Sequence, residues 1–478
     1  MFKHTKIGAT IGPSCADPLV LEKMVKAGMN FARLNFAHGT HESNGKLLNT
    51  VRAVEEKTGE PLAILQDLQG PRIRLGAMPA EGVAIKEGDT VTLNTALTTY
   101  AGGDWPVDYP ELHRFVKPGE RVLIDDGRVE LSVTAVTGSQ ITGSVAQGGV
   151  VTSHKGINLP DSVLEIPALS EKDRADLRFG VKSEVDMVGL SFVSSAKDIL
   201  DVRFLIQQYL KEEGLTRAQP IFIIAKIERR VAVENLTEIL DAADGIMVAR
   251  GDLGLELPAA QVPLVQKRII DAANALAKPV IVATQMLNSM QTSRRPTRAE
   301  VSDVANAVID HADALLLTNE TASGEFPVLA VETMADIIVT TERSSYDDTD
   351  LPAHHKGVSL DLAIADMSRL LADELSAKLI LAASISGETG RLISHVRPSL
   401  PILVATSTPA SWRQLNLSWG VKPFMMLQCQ SIEELVERSI DYIKHHKIAR
   451  KGDKMIIVAG EPVGQAGNVN LVEVREIS

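Results

Sequence analysis

The sequence is poor in cysteine, in aromatic side chains and in positive charge. Its 478 residues include two cysteines, Cys15 and Cys429, and 4% aromatic residues. Two cysteines are too few for a disulfide framework or a zinc ribbon, which is typical of a protein in a reducing compartment. Lys and Arg total 49 against 61 Asp and Glu, a net charge of −12. This acidic balance argues against a nucleic-acid partner, because phosphates are repelled by an acidic surface.

Long hydrophobic runs are also missing. No apolar stretch approaches the ~20 residues that a membrane-spanning helix needs, and the N-terminal sequence MFKHTKIGATIGPS does not resemble a signal peptide. With 45% hydrophobic and 23% charged residues, the composition is typical of a folded globular chain. The sequence therefore predicts a cytoplasmic protein of roughly two to four domains, with no membrane partner.

Short β-branched runs alternate with longer amphipathic segments. The predicted strands are 5–11, 30–36, 62–67, 186–192, 221–227, 245–249, 280–284 and 314–318. Apolar runs of this length, bounded by Gly, Asp or Pro, are typical of strands buried on both faces of a parallel sheet. Eight strand–helix repeats predict an α/β fold built on a closed (β/α)8 TIM barrel, with a doubly wound open sheet as the alternative.

One segment breaks this alternation. Residues 71–167 contain period-2 strands and tight turns, as in ERVLIDDGRVELSVTAV. We predict a β-barrel lid domain inserted into a catalytic barrel of residues 1–70 and 168–343. A polar, Pro-containing segment, SSYDDTDLPAHHKG, follows the barrel. Beyond it, residues 344–478 alternate strands and helices and predict a C-terminal open α/β domain.

Polar side chains occur at the ends of five of the eight predicted barrel strands, where barrel enzymes carry out their chemistry. They are Arg33 and Asn35, Lys226 and Glu228, Arg250 and Asp252, Thr284, and Thr318 and Glu320. Carboxylates such as Glu228 and Asp252 suit Mg²⁺ or Mn²⁺. Lysine and arginine beside such an ion suit phosphoryl transfer or enolate chemistry. Internal ion pairs in the barrel mouth are the structural alternative, although burying so many charges without a function is costly.

Taken together, several segments resemble the pyruvate kinase family. They include TKIGATIGPS, MNFARLNFAHG, DLQGPRIR, IAKIE, MVARGDLG, ATQMLNSM, RPTRAEVSDVANAV and TNETASGEFP. The resemblance covers nearly the whole chain and implies a barrel, a lid inserted after the third strand and a C-terminal regulatory domain. It implies a glycolytic phosphotransferase that transfers the phosphoryl group of phosphoenolpyruvate to ADP, giving pyruvate and ATP.

The resemblance also implies roles for single residues. Arg33 would bind the substrate phosphate, and Lys226 would stabilise the transferring phosphoryl group and the enolate oxygen. Thr284 lies where the family protonates the enolate, and Glu228 and Asp252 would hold Mg²⁺ or Mn²⁺. The remaining implied contacts are Gly251, Asp252 and Thr284 for the carboxylate of the substrate, and Asn35, His38, Arg74 and Lys172 for the nucleotide. His41, three residues after His38, is predicted at the surface.

The monovalent-cation site departs from the family pattern. K⁺-dependent members have Asn and Ser on the second strand, Asp and Thr on the third, and a glutamate further on. Asn35 and Asp67 keep this pattern, but Ala37 replaces the serine. Leu68 replaces the threonine and Arg72 replaces the glutamate. We predict that the Arg72 guanidinium takes the place of K⁺, so that K⁺ is not required. The alternative is that Arg72 points to solvent at the lid hinge.

In the third domain, ASISGETGRLISHVRP resembles the effector phosphate loop of the family. Ser384, Ser386, Gly387 and Thr389 offer hydroxyls and amides before a helix N-terminus, whereas Glu388 should weaken anion binding. A phosphorylated effector, a sugar monophosphate or AMP, is the prediction, and a merely structural strand-to-helix turn is the alternative. A homotetramer is implied by the resemblance alone.

Two other functions are open at this point. One is a Mg²⁺-dependent aldolase or lyase on a related phosphoenolpyruvate barrel, which would need neither the lid nor Arg74 and Lys172. The other is a non-catalytic metabolite sensor, against which the intact Lys226, Glu228 and Asp252 argue.

Overall fold

In the computed structural model of the chain, which describes residues 2–162, 167–347, 359–460 and 469–477, eight parallel strands form a closed barrel. Numbered along the whole chain, they are β1 (Lys6–Thr10), β2 (Phe31–Asn35), β3 (Ala63–Asp67), β13 (Met187–Leu190), β14 (Phe222–Ile227), β15 (Gly245–Ala249), β16 (Val280–Ala283) and β17 (Ala314–Leu317). Pairing of Lys6 with Ala314 closes the barrel between β1 and β17. Each strand lies within its predicted range. The closed barrel is confirmed and the open sheet is excluded.

Helices surround these strands. They are α1 (Pro18–Ala27), α2 (His41–Thr58), α3 (Glu171–Lys182), α4 (Ala196–Glu212), α5 (Arg230–Glu234), α6 (Leu236–Ala242), α7 (Arg250–Glu256), α8 (Val262–Ala275), α9 (Arg298–Ile309), α10 (Asn319–Ala322) and α11 (Pro327–Glu342). Capping boxes begin α3, where Ser170 and Asp173 bond each other's backbone amides, and α9, where Thr297 and Glu300 do the same. Within the described ranges, no helix is both long and apolar enough to cross a bilayer.

The inserted segment between β3 and β13 is built of strands. They are β4 (Ile73–Arg74), β5 (Val83–Ile85), β6 (Thr90–Asn94), β7 (Asp104–Pro106), β8 (Arg121–Ile124), β9 (Val129–Thr137), β10 (Gln140–Gln147), β11 (Gly149–Val151) and β12 (Gly156–Asn158). Seven form a sheet in the order β4-β12-β8-β9-β10-β6-β7, and β5 pairs with β11. The Gly76 amide donates to the Pro106 carbonyl and the Asp108 amide to the Arg74 carbonyl, both at 2.9 Å. These bonds join the two edge strands, so the sheet curls into the barrel-like shape expected of the lid.

The C-terminal region contains a five-stranded sheet. Its strands are β18 (Leu379–Ala383), β19 (Ile402–Thr406), β20 (Val421–Met425), β21 (Lys454–Ala459) and β22 (Leu471–Glu476), with helices α12 (Leu360–Glu374), α13 (Glu388–His395), α14 (Pro409–Gln414) and α15 (Ile432–His445). The order is β20-β19-β18-β21-β22, and β22 alone of these five is antiparallel to its neighbour. The predicted open α/β domain is confirmed, while most of the predicted linker, including His354 and His355, lies outside the described residues.

The C-terminal region contacts the end of the barrel at which the strands begin, through α14 and the segment after α13. Arg397 bonds Asp313, the residue before β17, at 2.9 Å. The Gln414 amide donates to the carbonyl of Asp186, the residue before β13, at 3.1 Å. The carboxyl ends of the barrel strands lie at the opposite end, where they face the lid. The polar strand ends and the contacts with the C-terminal region therefore lie at opposite ends of the barrel.

Candidate active site

The carboxyl end of β14 places Lys226 among three acceptors, which are Asp67 on β3, Ser191 directly after β13 and Glu228 directly after β14 itself. Its side chain is 10% exposed, and its Nζ lies 2.8 Å from Glu228 Oε1 and 3.2 Å from Asp67 Oδ1. It also donates to Ser191 Oγ at 2.7 Å. Two ion pairs and one hydrogen bond therefore hold the ammonium group at the mouth of the barrel.

Burial and charge act in opposite directions on these groups. Burial by itself lowers the pKa of Lys226, but the carboxylates of Asp67 and Glu228 more than compensate, and the pKa lies above its usual value. Burial raises the pKa of Asp67, yet Lys226 and Arg33 together hold it below its usual value. Lys226 is therefore a cation and Asp67 an anion at neutral pH.

Arg33 joins this network from β2. Its Nε donates to Asp67 Oδ2 at 2.6 Å and its Nη1 to Thr10 Oγ1 at 3.0 Å. The two oxygens of Asp67 thus face Arg33 and Lys226, one each. Asp67, predicted from the sequence to belong to the monovalent-cation site, is here the link that holds two cationic side chains beside each other.

Glu228 and Asp252 fit a divalent cation. Glu228 is 1% exposed, and its Oε2 accepts the Phe192 amide at 2.7 Å. Burial raises the pKa of Glu228, Lys226 opposes this, and the charge of Asp252 raises it further. Two mutually repelling carboxylates are stabilised by a cation between them. Among the described residues no group of three or more candidate metal ligands occurs, and Mg²⁺ commonly takes one or two carboxylates together with water and substrate oxygens.

Thr284 follows β16 in an unusual backbone conformation. Its φ is +72°, which is rare for a β-branched residue, and this is why β16 ends at Ala283. The Gly251 amide, in the first turn of α7, donates to Thr284 Oγ1 at 3.0 Å. Arg250 holds the turn: its Nη2 donates to the Thr284 carbonyl at 2.8 Å and its Nη1 to Asp303 at 2.6 Å. Arg250 therefore supports the site rather than entering it.

The residues predicted to contact the nucleotide lie around the end of β2 and on the lid. Lys172, on α3, donates to the Phe36 carbonyl at 2.6 Å, one residue after Asn35. His38, two residues further along, is exposed. Asn35 Oδ1 accepts an amide two residues on, at 3.1 Å. Arg74 lies on the first lid strand, where its amide donates to Asp108 at 2.7 Å.

A cleft between the lid and the barrel contains Arg72. Its lining includes Arg72 and Asp126 from the lid side and Phe192, Asp252 and Glu256 from the barrel. The Arg72 side chain is exposed, and within the described part of the chain its guanidinium forms no ion pair. The structure thus places Arg72 at the edge of the site, without a bond to Asn35 or Asp67.

Comparison with known proteins decides the family. The family profiles described as "Pyruvate kinase, barrel domain" and "Pyruvate kinase, alpha/beta domain" match residues 2–331 and 362–475. The chain belongs to the pyruvate kinase family. It is 40% identical over 482 residues to the pyruvate kinase of Geobacillus stearothermophilus, covering 100% of this chain and 81% of that protein. It is 41% identical over 480 residues to that of Mycobacterium tuberculosis H37Rv, covering 100% and 99%.

A solved structure agrees. The crystal structure of a pyruvate kinase from Cryptosporidium parvum superimposes with a TM-score of 0.92 at 34% identity, covering 100% of this chain and 96% of that one. The chain is accordingly a phosphotransferase that transfers the phosphoryl group of phosphoenolpyruvate to ADP in glycolysis, giving pyruvate and ATP. Pyruvate kinases generally use Mg²⁺ and K⁺.

The loop that the sequence predicts to bind a phosphorylated effector lies between β18 and α13. Ser384 and Ser386 are half-buried, Gly387 and Thr389 are buried, and Glu388 is exposed. Arg391 Nη1 donates to the Ser386 carbonyl at 3.2 Å. Gly387 has a φ of +83°, a conformation that glycine adopts without strain. The two serines and the exposed Glu388 are therefore the members of this loop nearest to solvent.

Two residues at the site are not predicted from the sequence. Ser191 follows the apolar run of β13, so the rule that identifies the other polar strand ends applies to it as well. Asp176 lies four residues after Lys172 on α3 and bonds it at 2.6 Å, a spacing that places both on one face of a helix. His41 lies near the surface, as predicted, but it too bonds Asp176, at 2.7 Å.

Proposed function

We propose that Arg33, Lys226 and Thr284 perform the chemistry of the pyruvate kinase reaction in this chain. The observation that carries the proposal is the Lys226 ammonium group, held between Asp67, Glu228 and Ser191 at the carboxyl end of β14. Arg33 binds the phosphate of phosphoenolpyruvate. Lys226 stabilises the negative charge on the transferring phosphoryl group and on the enolate oxygen that it leaves behind.

The remaining groups bind the ligands and deliver the proton. Gly251, Asp252 and Thr284 seat the carboxylate of the substrate. Because Thr284 Oγ1 accepts the Gly251 amide, its hydroxyl hydrogen is left to be donated towards the enolate carbon. Glu228 and Asp252 hold Mg²⁺, or Mn²⁺, which supplies charge neutralisation at the phosphoryl oxygens when bound.

The nucleotide is proposed to lie between lid and barrel. Asn35, His38 and Lys172 contact it from the barrel and Arg74 from the lid. A lid closed over both substrates excludes water, which protects the phosphoryl group from hydrolysis.

A coupled assay tests this proposal against its alternatives. Pyruvate should form from phosphoenolpyruvate only when both ADP and Mg²⁺ are supplied, with one ATP per pyruvate. Pyruvate without ADP would indicate a lyase, and absence of turnover under all conditions would indicate a sensor.

We propose that the Arg72 guanidinium substitutes for K⁺. Its exposure and its place in the lid–barrel cleft leave it free to move towards Asn35 and Asp67 when the lid closes. The wild-type enzyme should reach its full rate in buffer free of K⁺ and Na⁺. The Arg72→Glu variant should lose activity at least tenfold there and regain it on addition of K⁺. Strong activation of the wild type by K⁺ would contradict the proposal.

We propose that the loop of Ser384, Ser386, Gly387 and Thr389 binds a sugar monophosphate or AMP as an activator. The Glu388→Gln variant removes an exposed negative charge from this loop and should lower the activating concentration about threefold. Initial rates measured with a panel of phosphorylated metabolites check this. Absence of any response in both the wild type and the variant would favour a structural turn.

We further propose that the protein is a cytoplasmic homotetramer. Each subunit is divided into a barrel (1–70 and 168–343), a lid (71–167) and a regulatory domain (344–478). Apolar side chains on the outer faces of α8 and α12 support assembly, since Leu264 is 69% exposed and Leu360 is 63% exposed.

A further inference from the structure

A buried carboxylate joins Lys172 to a histidine that the proposed mechanism does not use. The Asp176 side chain is 4% exposed. Its Oδ2 accepts from Lys172 Nζ at 2.6 Å, and its Oδ1 lies 2.7 Å from His41 Nε2. The Gln66 side-chain amide donates to the Asp176 carbonyl at 2.7 Å, which ties this turn of α3 to β3. Asp176 is therefore fixed, and each of its oxygens has its own donor.

The imidazole of His41 is held in place by an aromatic contact. It stacks on Phe179 with ring centroids 4.7 Å apart and an angle of 16° between the planes. Phe179 in turn contacts Phe36, at 5.9 Å between centroids. Because a carboxylate only accepts hydrogen bonds, Nε2 is the protonated nitrogen that faces Asp176. The ring orientation and the hydrogen bond together define one position for His41.

Lys172 also contacts the strand that carries the nucleotide residues. The same Nζ that bonds Asp176 donates to the Phe36 carbonyl at 2.6 Å, one residue after Asn35. While His41 donates a hydrogen bond to one oxygen of Asp176, Lys172 pairs only with the other oxygen. Without that donor, the nearly buried carboxylate would draw the ammonium group across both oxygens and away from the cleft.

We propose that His41 is a positioning residue for the nucleotide: acting through Asp176, it holds the Lys172 ammonium group where the phosphates of ADP bind. The inference rests on the nucleotide contact proposed above for Lys172. His41 does not touch the reacting atoms, so its loss should change the KM for ADP, whereas kcat and the KM for phosphoenolpyruvate should stay the same.

Two matched variants separate the hydrogen bond from the packing. His41→Phe keeps a ring to stack on Phe179 but has no donor, and it should raise the KM for ADP about 3–10-fold. His41→Gln loses the ring but places an amide N–H near the position of Nε2, and it should restore the wild-type KM. A wild-type KM in His41→Phe together with a raised KM in His41→Gln would show a packing role. That result, equal impairment of both variants, or an equal change in the KM for phosphoenolpyruvate would overturn the inference.

The Lys172→Met variant separates the positioning role of His41 from the nucleotide contact proposed for Lys172. Lys172→Met should raise the KM for ADP, and adding His41→Phe to it should cause no further change, because His41 acts through the lysine. If Lys172→Met leaves the KM for ADP unchanged, the nucleotide contact itself is wrong. If Lys172→Met raises it but His41→Phe does not, only the positioning role of His41 is overturned.

Discussion

Replacing Lys226 by methionine should lower kcat by about 10³-fold. Methionine has a similar length but no charge, so the transferring phosphoryl group and the enolate oxygen lose their cationic partner. Asp67 and Glu228, both about 1% exposed, would also face each other across the site without the ammonium group between them. Steady-state assays at saturating phosphoenolpyruvate and ADP give the change in kcat.

The control for this variant is Lys182→Met, also a lysine in an ion pair but 53% exposed on α3, where it bonds Glu213 at 2.9 Å. It should keep kcat within about twofold. A Lys226→Met enzyme with an unchanged circular dichroism spectrum and more than a tenth of the wild-type kcat would show that Lys226 does not stabilise the transition state.

Replacing Arg397 by alanine should lower the free energy of unfolding by about 3–5 kcal/mol. Arg397 bonds Asp313 at 2.9 Å, and both side chains are less than 10% exposed. It also donates to Asn274 at 3.1 Å and to the carbonyl of His311 at 2.8 Å, and its guanidinium lies over the Trp419 ring at 5.1 Å. The variant leaves a buried carboxylate without its cation where the C-terminal region contacts the barrel.

Urea unfolding followed by circular dichroism measures this loss. Asp313→Asn added to Arg397→Ala should recover part of the stability, since it removes the unpaired charge. Arg128→Ala is the control: Arg128 is 79% exposed and lies 3.6 Å from Asp125, so the change should stay within about 0.5 kcal/mol. An Arg397→Ala midpoint equal to that of this control would refute the prediction.

The pKa of His311 gives a second measurement of the contact between Arg397 and the barrel. Burial, and after it the charge of Arg397, lower the pKa of His311 to about 4. In Arg397→Ala this pKa should rise, and NMR titration of the His311 ring would follow it.

The strands of this protein could be predicted because a parallel barrel buries both faces of each strand. Runs such as FIIAKI and VIVA are buried at every position, and they stand out from the amphipathic helices around them. The polar residues that end these runs must lie at one end of the barrel, so the sequence alone is enough to place Arg33, Lys226 and Glu228 in one group.

What could not be predicted depends on contacts between distant segments. Thr284 has a positive φ and is bonded by Arg250 and Gly251, and the sequence reveals neither the φ nor the bonds. His41 is predicted only as a surface residue, because nothing near it in sequence indicates Asp176, 135 residues away. Arg72 is conspicuous by its residue type, but which group it contacts depends on the position of the lid.

The pairing of β1 with β17 also constrains how the chain can fold during synthesis. Lys6 can pair with Ala314 only after almost two thirds of the chain has left the ribosome. All strands of the seven-stranded lid sheet, in contrast, come from between Ile73 and Asn158. The sheet can therefore fold while β1 still lacks its partner β17 and β3 its partner β13. The lid is therefore expected to be the first folded unit on the nascent chain, and the barrel that carries it to be completed later.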